Sequence, residues 1–175
     1  MKNAMVGIVM GSDSDLSVVK DTFEILGKFN VPYEALILSA HRTPEETTKY
    51  AKSAIKKGVK IIIAAAGGAA HLAGVIAAHT TLPVIGIPIK TKTLNGVDSL
   101  YSIVQMPPGV PVATVGINAA KNAGLLAIEI LATGNKELQK KLIEYKKTQN
   151  DNVINKSKQL QKIGYKEYLK VMETK

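Results

Sequence analysis

Ile61-Ile62-Ile63-Ala64-Ala65-Ala66-Gly67-Gly68-Ala69-Ala70-His71-Leu72-Ala73-Gly74-Val75-Ile76-Ala77-Ala78-His79-Thr80-Thr81-Leu82-Pro83-Val84-Ile85-Gly86-Ile87-Pro88-Ile89 contains no Asp, Glu, Lys or Arg. A stretch this long and apolar is either a membrane span or a buried part of a folded core. Its interruptions decide between them. Gly67-Gly68, His71, His79, Thr80-Thr81 and Pro83 cut it into strand, loop, helix and strand, with strands over 59–66 and 83–89 and a helix over 69–80. Apolar residues fall on nearly every face of that helix, so it is expected to be buried all round. One small domain has little room for such a helix, which points to a homo-oligomer.

The same unit recurs on either side. Met5 to Met10 is an apolar run ended by Gly11-Ser12-Asp13-Ser14-Asp15, after which Leu16, Val19, Phe23 and Leu26 fall at helical spacing. Glu34 to Leu38 leads through a short loop into a helix ending near Lys57. After Pro83 to Ile89, Lys90 to Gly96 opens a segment ending near Met106. Pro111 to Ile117 precedes a helix over 119–132, closed by Gly134. Strands apolar on both faces that alternate with helices make a parallel sheet covered on both sides. The expected fold is therefore α/β and doubly wound, a central five-stranded parallel sheet with helices on both faces. Ligands in such sheets sit beyond the carboxyl ends of the strands, near the point where strand order reverses.

Residues 1–150 are expected to form a single α/β domain. Beyond Leu131 the pattern changes. Asn135 to Gln149 reads as an amphipathic helix with Leu138, Leu142 and Tyr145 on one side. Residues 151–175 form a lysine-rich C-terminal extension with a last helix through Tyr165, Tyr168, Leu169 and Met172, which either packs on a neighbouring subunit or remains a mobile tail.

The formal charge of +9 is concentrated late in the chain. Residues 136–175 hold 11 Lys against 5 acidic residues, and residues 1–135 hold 12 cations against 9 acidic residues. With 2 Phe, no Trp and a single Arg, the chain lacks the aromatics and arginines of a base-reading surface, so no nucleic-acid partner is expected. The absence of cysteine excludes disulfides and thiolate metal sites, and no pair among the three histidines has ligand spacing, so no metal is expected. Nothing at the start of the chain reads as a secretory leader, and the expected location is cytoplasmic, without a membrane partner.

Candidate chemistry concentrates in the loops that follow the first three strands. The only arginine, Arg42, lies in Ser39-Ala40-His41-Arg42-Thr43-Pro44. Where lysine meets every other need for a cation, one arginine beside a histidine marks a place that requires a planar fork of donors, an anion site. Thr43 reads as an N-cap, Pro44 as the first helical residue and Glu46 as the closing member of a capping box. His41 and Arg42 precede that cap, and a loop imidazole beside a cation is suited to proton transfer. In the first loop, Ser12, Asp13, Ser14 and Asp15 either cradle a phosphate or, for Ser14 and Asp15, cap the helix. Gly67-Gly68 either lets backbone approach a ligand or allows close helix-to-sheet packing. His71 is a cap-region donor or a site residue, and His79 reads as a buried structural histidine. The segment from Asn95 to Pro107 is a site wall or a subunit contact.

Several of these stretches, taken in order, closely resemble class I N5-carboxyaminoimidazole ribonucleotide mutase, PurE. They are Gly11-Ser12-Asp13-Ser14-Asp15, Ser39-Ala40-His41-Arg42-Thr43-Pro44, Gly67-Gly68-Ala69-Ala70-His71-Leu72, Gly96-Val97-Asp98-Ser99-Leu100, Ser102-Ile103-Val104-Gln105-Met106-Pro107 and Gly109-Val110-Pro111-Val112-Ala113-Thr114-Val115. The resemblance spans about residues 5–150. It implies a flavodoxin-like three-layer sandwich assembled as an octamer. The implied reaction belongs to de novo purine (IMP) biosynthesis, needs no cofactor or metal, and moves a carboxylate from the exocyclic nitrogen of an aminoimidazole ribonucleotide to ring carbon C4. By the same resemblance Ser12 and Arg42 hold the 5'-phosphate with Ser14 and Ser39 nearby, Asp15 binds the ribose hydroxyls, Gly67, Gly68, His71 and Leu72 enclose the migrating carboxylate, and His41 is the acid/base. Ala73 stands where many members carry Pro, and the chain after about Asn150 matches no part of the pattern. Two alternatives remain: a class II aminoimidazole ribonucleotide carboxylase that uses CO2 directly, and a flavodoxin-like FMN binder or signalling module. The loops after strands one to three contain no aromatic to sandwich a flavin, and Ala64-Ala65-Ala66 ends the third strand where a receiver needs Asp.

Overall fold

The computed structural model describes residues 4–173. These residues form two compact units, one running to Leu131 and the other starting at Ala132. The first unit is built on five parallel strands, β1 (Val6–Met10), β2 (Tyr33–Ile37), β3 (Ile61–Gly67), β4 (Val84–Ile89) and β5 (Ala113–Thr114), in the order β2-β1-β3-β4-β5. This is the flavodoxin-like order, with its switch point between β1 and β3. The register is tight at the centre, where Ile8 lies beside Ile63 and Ile63 beside Ile85.

The three central strands are buried on both faces, as their unbroken apolar runs require. Residues of one parity, Val9, Ile62, Ala64 and Val84, pack with Tyr50 and Ala51 of α2 (Pro44–Ser53), Leu72, Ala73 and Ile76 of α3 (Leu72–Ala78) and Ile103 of α4 (Val97–Val104). The other parity, with Ile8, Ile61, Ile63, Ile85 and Ile87 fully buried, turns to the opposite face. That face belongs to α1 (Leu16–Lys28) and α5 (Ala120–Ala132), which touch where the Thr22 hydroxyl donates to the Ala120 carbonyl at 2.8 Å. Close approach has a price at Gly7 on β1, where an added Cβ would collide with the Tyr50 hydroxyl. That hydroxyl donates to Glu34 Oε1 at 2.9 Å, and burial together with this carboxylate pushes the Tyr50 pKa well up.

The elements follow the expected units, with differences that have local causes. Strand five shrinks from Pro111–Ile117 to two paired residues, because Pro111 has no N–H and the chain turns at Asn118, which has φ 57°. Helix two ends at Ser53 and continues as a 3-10 turn over Ala54–Lys57, closed by Gly58 at φ 94°. Thr43 is the N-cap with Pro44 following, but its side chain makes no capping bond, so the expected box with Glu46 does not form. Thr43 Oγ1 instead accepts from Ser39 N–H at 2.9 Å and donates to Ser39 O at 3.1 Å, folding the loop onto itself. The capping box forms in the first loop, where Ser12 accepts from Ser14 N–H and Asp15 accepts from Ser12 N–H.

Helix α3 is shorter than the expected 69–80 and is buried on one side only. Leu72, Ala73 and Ile76 face the core, whereas Gly74, Val75 and Ala77 are half-buried and Ala78 is exposed. His79 is not a buried structural histidine; it caps the end of α3, where the chain leaves the core, and is exposed.

In the second unit, Asn135 Oδ1 accepts from the N–H groups of Glu137 and Leu138 and starts α6, which runs Lys136–Glu173. The helix continues through Asn150 without a break. Lys, Leu, Gln and Glu favour helix throughout, and the interruption falls at Gly164, whose φ of 74° and ψ of 162° are non-helical. Leu138 and Leu142 are buried, and from Ile143 onward nearly every side chain is exposed. Thr174 and Lys175 of the expected extension lie outside the described residues. Among the described residues no helix is long and apolar enough to cross a membrane.

Candidate active site

The loops that leave the carboxyl ends of β1, β2, β3 and β4 surround a cavity of about 430 Å³. Its walls are Gly11, Ser12, Ser14, Asp15, Ser39, Ala40, His41, Arg42, Ala66, Gly67, Ala70, His71, Leu72, Ile89 and Lys90. The volume lies within the range of small-ligand sites, and the position is the one that doubly wound sheets use. A larger hollow of about 630 Å³ runs along the outer face of α2 and the 3-10 turn after it, between Pro44 and Lys56, and is lined by no residue from the strand-end loops.

One end of the cavity gathers an arginine and serine hydroxyls, groups whose chemistry suits an anion. Arg42 Nη2 donates to the Gly11 carbonyl at 2.9 Å and Nε to Ser39 Oγ at 3.4 Å, so the guanidinium is drawn across from the β2 loop to the end of β1. Ser14 Oγ donates to Ser12 Oγ at 2.9 Å, which places two hydroxyls near this cation. Asp15 is only 6 % exposed. Burial raises its pKa; the Ser12 N–H, the Ser14 hydroxyl and the Arg42 charge oppose that rise, while Asp13 adds to it.

At the other end the β3 loop brings His71 to His41, with His41 Nε2 and His71 Nδ1 2.9 Å apart and the rings edge to face at 5.0 Å. Gly68 has φ 69°, which explains a glycine there, and Ala70 follows with φ 26°, unusual for a residue carrying Cβ. Tight packing is not the reason for either glycine: a Cβ on Gly68 would meet nothing within 4 Å, and one on Gly67 would make only ordinary contacts, the nearest at 3.5 Å. The loop is braced from behind by α4. Fully buried Ser99 accepts from Gly68 N–H at 2.9 Å and donates to Ile89 O at 2.7 Å, while the Ser102 hydroxyl donates to Gly68 O at 3.3 Å.

Ser12, Ser14, Asp15, Ser39, His41, Arg42, Gly67, His71 and Leu72 all line this one cavity. Gly68 does not line it; its backbone is taken up by Ser99 and Ser102. The segment from Asn95 to Pro107 contributes no wall; its hydroxyls support the β3 loop, while Val97, Tyr101 and Val104 face outward. Sequence reasoning missed Ile89 and Lys90, which follow from extending the strand-end rule to the fourth strand. Lys90 brings a second cation, its N–H held by Asn118 Oδ1 at 2.8 Å. Among the described residues no cluster of three or more His, Asp or Glu is arranged to hold a metal ion.

Fold and cavity together define a doubly wound α/β protein with an arginine-and-hydroxyl cluster and a histidine pair at the switch point. The chain belongs to the AIR carboxylase family, whose model matches residues 5–152. It is 58% identical over 168 residues to the N5-carboxyaminoimidazole ribonucleotide mutase of Thermotoga maritima, covering 96% of this chain and 98% of that protein. It is also 58% identical over 165 residues to the enzyme of the same name from Pyrococcus horikoshii, covering 94% and 93% respectively. The phosphoribosylaminoimidazole carboxylase of Candida glabrata matches at 53% identity over 97% of this chain, which spans 30% of that longer protein. Among solved structures, Treponema denticola PurE superposes with a TM-score of 0.81 at 28% identity, covering 91% of this chain and 98% of that one.

Proposed function

We propose that this chain is a class I N5-carboxyaminoimidazole ribonucleotide mutase of purine biosynthesis, producing 4-carboxy-5-aminoimidazole ribonucleotide. The observation that carries the reading is the single cavity in which a hydroxyl-and-arginine anion site lies at one end and His41 faces the Gly67–Leu72 loop at the other. Ser12, Ser14, Ser39 and Arg42 receive the 5'-phosphate, Asp15 accepts from the ribose hydroxyls, and the carboxylate end of the substrate lies against Gly67, His71 and Leu72.

The residues then divide the chemistry simply. The bond between the exocyclic nitrogen and the carboxylate carbon breaks, CO2 leaves, and the electron pair left on nitrogen takes a proton from the His41 imidazolium. Ring carbon C4 attacks the held CO2, and the proton on C4 passes back to His41, so one histidine acts as acid and then as base. Ala66, Ala70, Leu72 and Ile89 give the wall near that step an apolar lining, which limits water, and enclosure keeps the two fragments in reacting position.

The fungal relatives' carboxylase name supports a second reading, direct carboxylation of aminoimidazole ribonucleotide. Both reactions give the same product and differ in the carboxyl source. The test is an assay of each substrate with and without added bicarbonate. Turnover of the N-carboxylated substrate alone supports the mutase; turnover only of aminoimidazole ribonucleotide with CO2 supports the carboxylase.

We place the catalytic unit within residues 1–150, with 151–175 as an extension, and assign the protein to the cytoplasm, where phosphorylated nucleotides are made and kept. The open side of α3 at Gly74, Val75 and Ala78 and the outward Val97, Tyr101 and Val104 of α4 support assembly with further copies, as an octamer. Light scattering checks this: a monomer mass at micromolar concentration contradicts it.

A further inference from the structure

We propose that His71 is a positioning residue that holds His41 in one tautomer, with its proton on Nε2 and its Nδ1 left free to exchange a proton with the ligand. What His41 does with that proton rests on the mutase reading; the tautomer itself does not.

The premise is the 2.9 Å contact between His41 Nε2 and His71 Nδ1. Two neutral imidazoles meeting nitrogen to nitrogen need one donor and one acceptor, so only two arrangements are available. If His41 donates, both rings carry the proton on Nε2, the intrinsically more stable form of a histidine side chain. If His71 donates, both rings are forced into the less stable Nδ1–H form. Protonation separates the two more sharply. When His41 gains its second proton at Nδ1, the Nε2–H bond to His71 persists unchanged. In the opposite arrangement the second proton arrives on Nε2, donor then faces donor, and the contact must break in each turnover.

His71 is suited to the task because its backbone is held independently of His41. Its carbonyl accepts from Val75 N–H at 2.9 Å, and the loop before it is pinned at Gly68 by Ser99 and Ser102. The arrangement parallels an orienting carboxylate behind a catalytic histidine, with one difference in charge. A neutral imidazole fixes the ring without placing a negative charge beside an anionic ligand. An Asp or Glu at this position would repel the carboxylate that the site is read to hold.

The test uses the full-length oligomer labelled with 15N-histidine in a perdeuterated background, with the three rings assigned by single replacements. Long-range 1H–15N spectra report which nitrogen of each ring carries the proton. The expected wild-type pattern is His41 protonated at Nε2 and bare at Nδ1. In His71→Ala the pattern should become an averaged mixture of tautomers, whereas His71→Asn, whose amide oxygen can occupy the place of Nδ1, should restore it. In turnover, His71→Ala is expected to lower kcat by roughly 10- to 100-fold with KM changed by less than about threefold, and His71→Asn to recover most of the loss. An Nδ1–H or mixed His41 in the wild type overturns the proposal, as does an unchanged His41 pattern in His71→Ala. A rise in KM with kcat intact also overturns it, since it would make His71 a ligand contact only. The expected spectra in a protein inactive on either imidazole substrate would uphold the tautomer assignment and refute the mutase reading.

Discussion

Replacing Arg42 by Lys tests the proposed anion site apart from the rest of the chemistry. A guanidinium carries five N–H donors in a fixed fork. In this protein one on Nη2 is spent on the Gly11 carbonyl at 2.9 Å and the Nε–H on Ser39 Oγ at 3.4 Å, which leaves three for a ligand in the cavity that Arg42 lines. A lysine ammonium keeps the charge but concentrates its donors on one atom, so it must choose between the Gly11 carbonyl and the phosphate. The net loss is one to two charge-assisted hydrogen bonds, each about 1.5–3 kcal/mol. At about 1.4 kcal/mol per tenfold, loss of the first alone raises Kd by roughly 10- to 150-fold. Because phosphate contacts are made equally in ground and transition states, the loss should appear in KM while kcat stays within a few-fold. Titration calorimetry with aminoimidazole ribonucleotide and steady-state kinetics read the two quantities separately. A normal KM, or a fall confined to kcat, would refute the assignment of Arg42 to the phosphate.

Three further outcomes follow from the same geometry. His41→Asn should fold and bind nucleotide but lose about 10²- to 10⁴-fold in kcat, because the amide retains polarity without basicity; near-normal turnover would remove His41 from the proton transfer. For Asp15 the sign is worked from its raised pKa: between its ordinary and raised values the folded state binds more protons than the unfolded chain, so this group's contribution to stability falls as pH rises through that window. Asp15→Asn should therefore gain stability relative to wild type as pH rises through that window in urea denaturation, while losing nucleotide affinity, and a relative loss there would contradict the burial argument. Gly7→Ala should cost about 1–3 kcal/mol by driving a methyl into the Tyr50 hydroxyl, and Tyr50→Phe in the same chain should recover part of it; strictly additive effects would show that the two sites do not meet.

Much of this protein was legible from local patterns. The run from Ile61 to Ile89, broken at Gly67-Gly68 and Pro83, identified two buried strands and the helix between them, because strand and helix periodicity and turn chemistry act over a few residues. The lone Arg42 beside His41, just before the start of a helix, singled out a loop that lines the cavity for the same reason. Other features depended on which strand lies beside which. The order β2-β1-β3-β4-β5 carries Arg42 to the Gly11 carbonyl and His71 to His41, pairs 31 and 30 residues apart in sequence. It also adds Lys90 to the cavity, buries Asp15 and sets Ser99 behind Gly68. At the caps, one hydroxyl chose between partners at similar distance, so Thr43 turned back to Ser39 while Ser12 and Asp15 formed the box. By itself the sequence determined the α/β units and the residue types that chemistry would need. Only the tertiary structure decided which of them meet, because hydrogen bonds and charges act over a few ångströms and long-range strand pairing sets those distances.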